Sequence, residues 1–104
     1  MLKAIIIDDE TSSRSSLKQK LSNYCPDIEI IGECENGEAG IKMLTTKNPD
    51  IVFLDVEMPE MNGLELLRHF PERNFHVIFT TAHEKYALPA LKAAVTDYLV
   101  KPLS

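Results

Sequence analysis

The chain has 104 residues, 44% of them hydrophobic, which leaves room for one compact domain with a real core but not for two. A formal net charge of −5 argues against gripping a nucleic-acid backbone, since that affinity rests on clustered Lys and Arg; any DNA contact would need another domain. The apolar runs are only a few residues long, far below the roughly 20 that span a bilayer. Met1-Leu2-Lys3 leads straight into a strand-like run and not a secretory signal, so a cytoplasmic chain without a membrane segment is expected.

The first predicted element is the strand AIII at 4–7, which runs into Asp8-Asp9-Glu10. The polar stretch at residues 11–16 reads as the cap and exposed face of a first helix, with Leu17, Leu21 and Tyr24 on its apolar side. A second strand, IEII at 28–31, follows. Cys25 falls near the end of that helix and Cys34 at the end of the strand, about 20 Å apart at ~3.3 Å per residue, so two free thiols are expected, and a pair without His company makes no zinc site. Ala39, Met43 and Leu44 mark a second helix, and IVFL at 51–54 a third strand that ends in Asp55. Pro59 and Gly63 punctuate the turn into a third helix carrying Leu64, Leu67 and Phe70.

VIFT at 77–80 is the fourth strand and YLV at 98–100 the fifth. Between them a fourth helix carries Leu88 and Leu91; because proline breaks a helix interior, it should start near Tyr86 to Leu88 with Pro89 in its first turn, leaving residues 83–86 as a loop. Strand starts about 20–25 residues apart fit strand plus crossover helix, and runs apolar throughout imply a parallel sheet covered on both faces. The fold class is α/β.

In a parallel sheet all strands end at one edge, where ligands bind. That edge receives Asp8-Asp9-Glu10 from the first strand, Asp55 from the third, Thr80-Thr81 from the fourth and Lys101-Pro102 from the fifth. Each alone has an ordinary reading: helix cap, turn residue, β-former, solvated lysine. Their convergence is what points to chemistry. Several carboxylates in one place repel each other unless a cation is present, and oxygen donors without His or Cys select a hard ion, with Mg2+ the best fit. Such an ion would shield an incoming phosphoryl group and allow a carboxylate nucleophile.

With DDE after the first strand, DVEMPEMNG after the third, TTA after the fourth and DYLVKP at the fifth, the whole chain resembles the receiver domain of two-component response regulators. Within that family, TTAHEKYALPALKAAVTDYLVKP is similar to receivers of the LytTR type, whose DNA-binding domain follows the receiver. The resemblance implies a flavodoxin-like, three-layer fold with strand order 2-1-3-4-5, and a single receiver domain over residues 1–104 that stops before the family's fifth helix. It implies that Asp55 takes a phosphoryl group from the phosphohistidine of a sensor histidine kinase. Asp9, Asp8, Asp55 and the backbone carbonyl of Glu57 would hold Mg2+, Lys101 would pair with the phosphoryl oxygens, and Thr81 would supply the switch hydroxyl, being followed by the small residue Ala82. Tyr98 falls on the aromatic position that swings inward, though it also reads as a half-buried sheet aromatic. The Lys101-Pro102 bond would be cis.

Glu57 and His83 occupy family positions that tune phosphoryl lifetime, or are merely exposed loop side chains; His69 and His76 read as surface residues. The absent fifth helix implies a partly bare sheet face and either self-association, as a homodimer or swapped assembly, or lowered stability. Two rivals stand beside this reading. One is a magnesium-dependent phosphohydrolase with an aspartyl nucleophile of the haloacid dehalogenase type, in which Glu57 would be the acid/base. The other is a receiver-like interaction module that never takes phosphate.

Overall fold

A computed structural model of the chain describes residues 1–82 and 95–101. Their strands are β1 (Leu2–Ile7), β2 (Ile28–Cys34), β3 (Ile51–Asp55), β4 (His76–Thr81) and β5 (Asp97–Val100), and their helices α1 (Thr11–Tyr24), α2 (Gly37–Lys47) and α3 (Gly63–Leu67). The strands form one parallel sheet in the order β2-β1-β3-β4-β5, as expected. The fourth helix, Pro89, the loop at residues 83–86, His83 and the Lys101-Pro102 bond lie outside the described residues. None of the described helices is long and apolar enough to cross a membrane.

Alternation along the central strands sorts the core into two layers. Ala4, Ile6, Ile51 and Phe53 pack with Leu17 and Leu21 of α1 on one face. Ile5, Ile7, Val52, Leu54, Val77 and Phe79 pack with Leu44 of α2 and Leu66 and Leu67 of α3 on the other. β3 is buried along its whole length, because it has a strand on each side and helices on both faces. The expectation of burial on both faces fails at the sheet edges: β2 is mostly half-buried and β5 mostly exposed. An edge strand has one lateral neighbour and less cover.

Three local expectations need correction. Tyr24, assigned to the apolar side of α1, is 77% exposed at the last helical position, where the helix end has less cover. The stretch at residues 11–16 is not the cap: α1 begins at Thr11, and Glu10 is the N-cap residue without a side-chain cap bond. Phe70 lies beyond the end of α3, but it still packs on the core, edge to face with Phe75 at 5.7 Å. α3 itself starts from a capping box, in which the Asn62 side chain accepts from Glu65 N at 2.8 Å and Glu65 accepts from Asn62 N at 3.0 Å. Cys25 and Cys34 are free thiols, as expected.

Candidate functional site

The site grows from four strand ends. Past β1, the Asp8 amide donates to the Cys34 carbonyl at the end of β2 (3.0 Å), and the Asp8 carboxylate turns back to accept the Glu10 amide (2.9 Å). The Arg14 guanidinium reaches back from the second turn of α1 to the Asp8 carbonyl at 2.6 Å and is itself held by Glu33 at 3.1 Å. The loop bearing Asp8, Asp9 and Glu10 is thus fastened to both β2 and α1.

β3 delivers Asp55, only 2% exposed, with Oδ1 accepting the Glu57 amide at 3.1 Å. The turn behind it folds so tightly that the Gly63 amide donates to the Val56 carbonyl (2.9 Å). A Cβ on residue 63 would stand 2.7 Å from the Asp55 carbonyl oxygen and 3.2 Å from Val56 Cα. Gly63 is needed for this close approach, and not for freedom in entering the helix, since its φ is not positive. Glu60, by contrast, sits at φ 68, where a side chain is unfavourable. β4 ends in Thr80 and Thr81, both buried. The backbone N–H of Lys101 donates to the Thr81 carbonyl at 2.6 Å, which extends the β4-β5 ladder to the site.

These elements bring carboxylate oxygens of Asp8, Asp9, Glu10 and Asp55 within 4.8 Å of one another. Lys101 Nζ lies among them, 3.1 Å from Asp8, 3.1 Å from Glu10 and 3.5 Å from Asp55. Desolvation, followed by the negative charge of Asp8, pushes the Asp55 pKa up to about 7, against the attraction of Lys101 and the Glu57 amide. Burial alone would lower the pKa of Lys101, but its bonds to Asp8 and Glu10 and the charge of Asp55 more than offset this and raise it. One ammonium among four carboxylates leaves an excess of negative charge and a set of hard oxygen donors. That donor set fits Mg2+ better than a soft metal.

The expected residues Asp8, Asp9, Asp55 and Lys101 are therefore together. Thr81 directs its hydroxyl to the Glu57 carboxylate (3.3 Å), and Thr80 is the residue paired with Asp55 in the β3-β4 register. The Glu57 side chain is exposed and accepts this hydrogen bond. Tyr98, paired with Phe79, is 37% exposed on the outer strand. His69 and His76 are exposed, as expected, with ring nitrogens facing the Glu65 carbonyl and the Thr96 hydroxyl, respectively. Sequence reasoning missed the Glu10 bond to Lys101, the Arg14 clamp and the steric role of Gly63. Arg14 could have been found by its place one helical turn after the acid triplet; the other two depend on tertiary distances.

The fold and this pocket define a class: a doubly wound α/β protein with an acidic, lysine-bearing crevice at its strand ends. Residues 4–104 match the model of the response regulator receiver domain. The chain is 44% identical to an uncharacterized response regulatory protein of Yersinia pestis and 40% identical to the transcriptional regulatory protein BtsR of Escherichia coli K12, covering 99% of this chain and 43% of each relative. It thus spans less than half the length of the curated relatives it matches. Among solved structures, the receiver domain of AraT, a response regulator from Geobacillus stearothermophilus, superimposes with TM-score 0.86 at 31% identity, covering 97% of this chain and 81% of that one. The response regulatory domain of protein mrkE from Klebsiella pneumoniae gives TM-score 0.87 at 27% identity, covering 97% and 84%. The chain belongs to the response regulator receiver domain family.

Proposed function

We propose that this domain is a phosphoryl-accepting switch in which Asp55 takes a phosphoryl group from the phosphohistidine of a sensor histidine kinase. The observation that carries this reading is the buried Asp55 carboxylate with Lys101 Nζ at 3.5 Å and three further carboxylates within 4.8 Å at the ends of parallel strands. An Asp55 oxygen forms the new bond to phosphorus as the bond to the histidine nitrogen breaks, and the imidazole keeps the electron pair. Asp8, Asp9, Asp55 and the Glu57 carbonyl would hold Mg2+, which when bound supplies positive charge against the incoming group. Lys101 pairs with the phosphoryl oxygens, and Thr81 leaves Glu57 to donate its hydroxyl to one of them. That movement, with Tyr98 turning inward, alters the face around β5 and the following output.

Several finer statements belong to the same proposal. The domain acts in the cytoplasm, is of the LytTR type, and controls a DNA-binding output outside residues 1–104; the transcriptional regulators among its relatives support this. The exposed Tyr98 and Val100 lie on the face offered for a homodimer. Glu57 sets phosphoryl lifetime by ordering or screening the attacking water, with His83 as a second tuning position. The experiment is incubation with acetyl phosphate and Mg2+, followed by intact mass. A gain of one phosphoryl group that vanishes in Asp55→Asn supports the reading. No gain with several small donors, with Mg2+ bound, favours the interaction module, and steady turnover of phosphate esters favours the hydrolase.

A further inference from the structure

Lys101 Nζ is shared among three carboxylates, and Asp55, the one the chemistry uses, is the farthest: 3.5 Å, against 3.1 Å to Asp8 and 3.1 Å to Glu10. An ammonium has three N–H donors, so in this state all three have acidic partners. A phosphoryl group formed on Asp55 takes over only the long Asp55 contact, and its several oxygens gain the ammonium fully only if a second partner gives way. The three differ sharply in what release would cost. The Asp8 and Asp55 side chains are 5% and 3% exposed, and in the phosphorylated state one holds the ion and the other carries the phosphoryl group, so neither can leave the pocket for water. The Glu10 side chain is 58% exposed and can take up water as it leaves. It also stands on the solvent side of the pocket, where a phosphoryl donor must enter.

We propose that Glu10 is a positioning residue for Lys101: a resident carboxylate that occupies the ammonium in the unmodified protein and is displaced by the phosphoryl group. This rests on the phosphoacceptor reading above. Glu10 therefore opposes modification in two ways, by holding a donor the phosphoryl oxygens need and by adding negative charge at the mouth of the pocket. The contact, and not the net charge of the domain, carries the larger part. The bond depends on side-chain length, because Glu10 reaches Lys101 from the N-cap position of α1.

The test is a titration with beryllofluoride at saturating Mg2+, with occupancy read from the Thr81 amide resonance in wild type, Glu10→Gln, Glu10→Asp and, as a charge control at the far end of the sheet, Glu29→Gln. Glu10→Gln should bind about two- to fivefold more tightly, the range an exposed ion pair contributes. Glu10→Asp, a methylene too short for the contact, should follow it, and Glu29→Gln should match wild type. Added salt should narrow the gap, since it screens an exposed pair. Unchanged or weaker binding in Glu10→Gln would overturn the proposal and make Glu10 a bystander or a ligand of the ion. Wild-type behaviour of Glu10→Asp would also overturn it, leaving bulk charge as the cause. If wild type binds and Glu10→Gln does not differ, only the role of Glu10 falls; if no variant binds beryllofluoride, the phosphoacceptor reading falls with it.

Discussion

Asp55→Asn removes an ionisable group whose burial the fold resists, and should stabilise the metal-free domain in a pH-dependent way. The Asp55 pKa rises from an ordinary 3.8 to about 7 in the folded state, chiefly through desolvation and the charge of Asp8. For an acid with a raised folded pKa, the folded state binds a proton that the unfolded chain has released. The resulting stability is present in full below 3.8, is lost as pH rises, and is gone above about 7. A rise of about 3 in pKa at 1.36 kcal/mol each amounts to about 4 kcal/mol, an order-of-magnitude figure. Asn carries no charge at any pH and escapes the loss. Its advantage over wild type should therefore grow by about 2–3 kcal/mol between about pH 4.5 and pH 8, then level off. Urea unfolding followed by far-UV circular dichroism, with a chelator present, measures it. An equal gain at both pH values, or a loss at pH 8, would refute the reasoning. Adding Mg2+ at pH 8 should shrink the gap, because a cation restores the ionised Asp55 to favour.

Three further substitutions probe the scaffold around the pocket. Gly63→Ala places a Cβ 2.7 Å from the Asp55 carbonyl oxygen and should cost about 1–3 kcal/mol in urea midpoint terms; a change within ~0.5 kcal/mol would mean that the turn yields freely. Arg14→Met unfastens the Asp8 carbonyl and should weaken Mg2+ binding several-fold in calorimetry while lowering stability by about 1 kcal/mol; unaltered Mg2+ affinity would confine Arg14 to a structural role. Asn62→Ala breaks the capping box and should cost about 1 kcal/mol in a thermal melt, with Asn62→Asp retaining most of it.

Much of the fold was legible because its signals are local. Short, β-branched apolar runs bounded by turn residues, such as residues 51–54, read as buried strands, and their spacing fits parallel pairing through crossover helices. The edge exposure of β2 and β5 was not legible, since an apolar run does not say whether a strand has one neighbour or two. Tyr24 misled for a related reason: helical periodicity places a residue on a face, but does not say whether that face is covered at the helix end. The site residues were legible as strand-end polar groups, Asp8, Asp55, Thr81 and Lys101 among them. Which of them touch was not. The Glu10 and Asp8 contacts of Lys101 and the Glu57 contact of Thr81 join residues 91, 93 and 24 positions apart, and only the folded sheet edge brings them together. The glycine at 63 carried a visible turn signal but for the wrong reason, because a backbone approach of 2.7 Å leaves no trace in a single sequence.

The most direct test of the account is where the phosphoryl group goes. After reaction with acetyl phosphate and Mg2+, borohydride reduces an aspartyl phosphate to homoserine, which peptide mapping can locate. The account predicts homoserine at position 55 and nowhere else. Homoserine at position 8 or 9, or a phosphoryl group on a histidine or a hydroxyl, would contradict it.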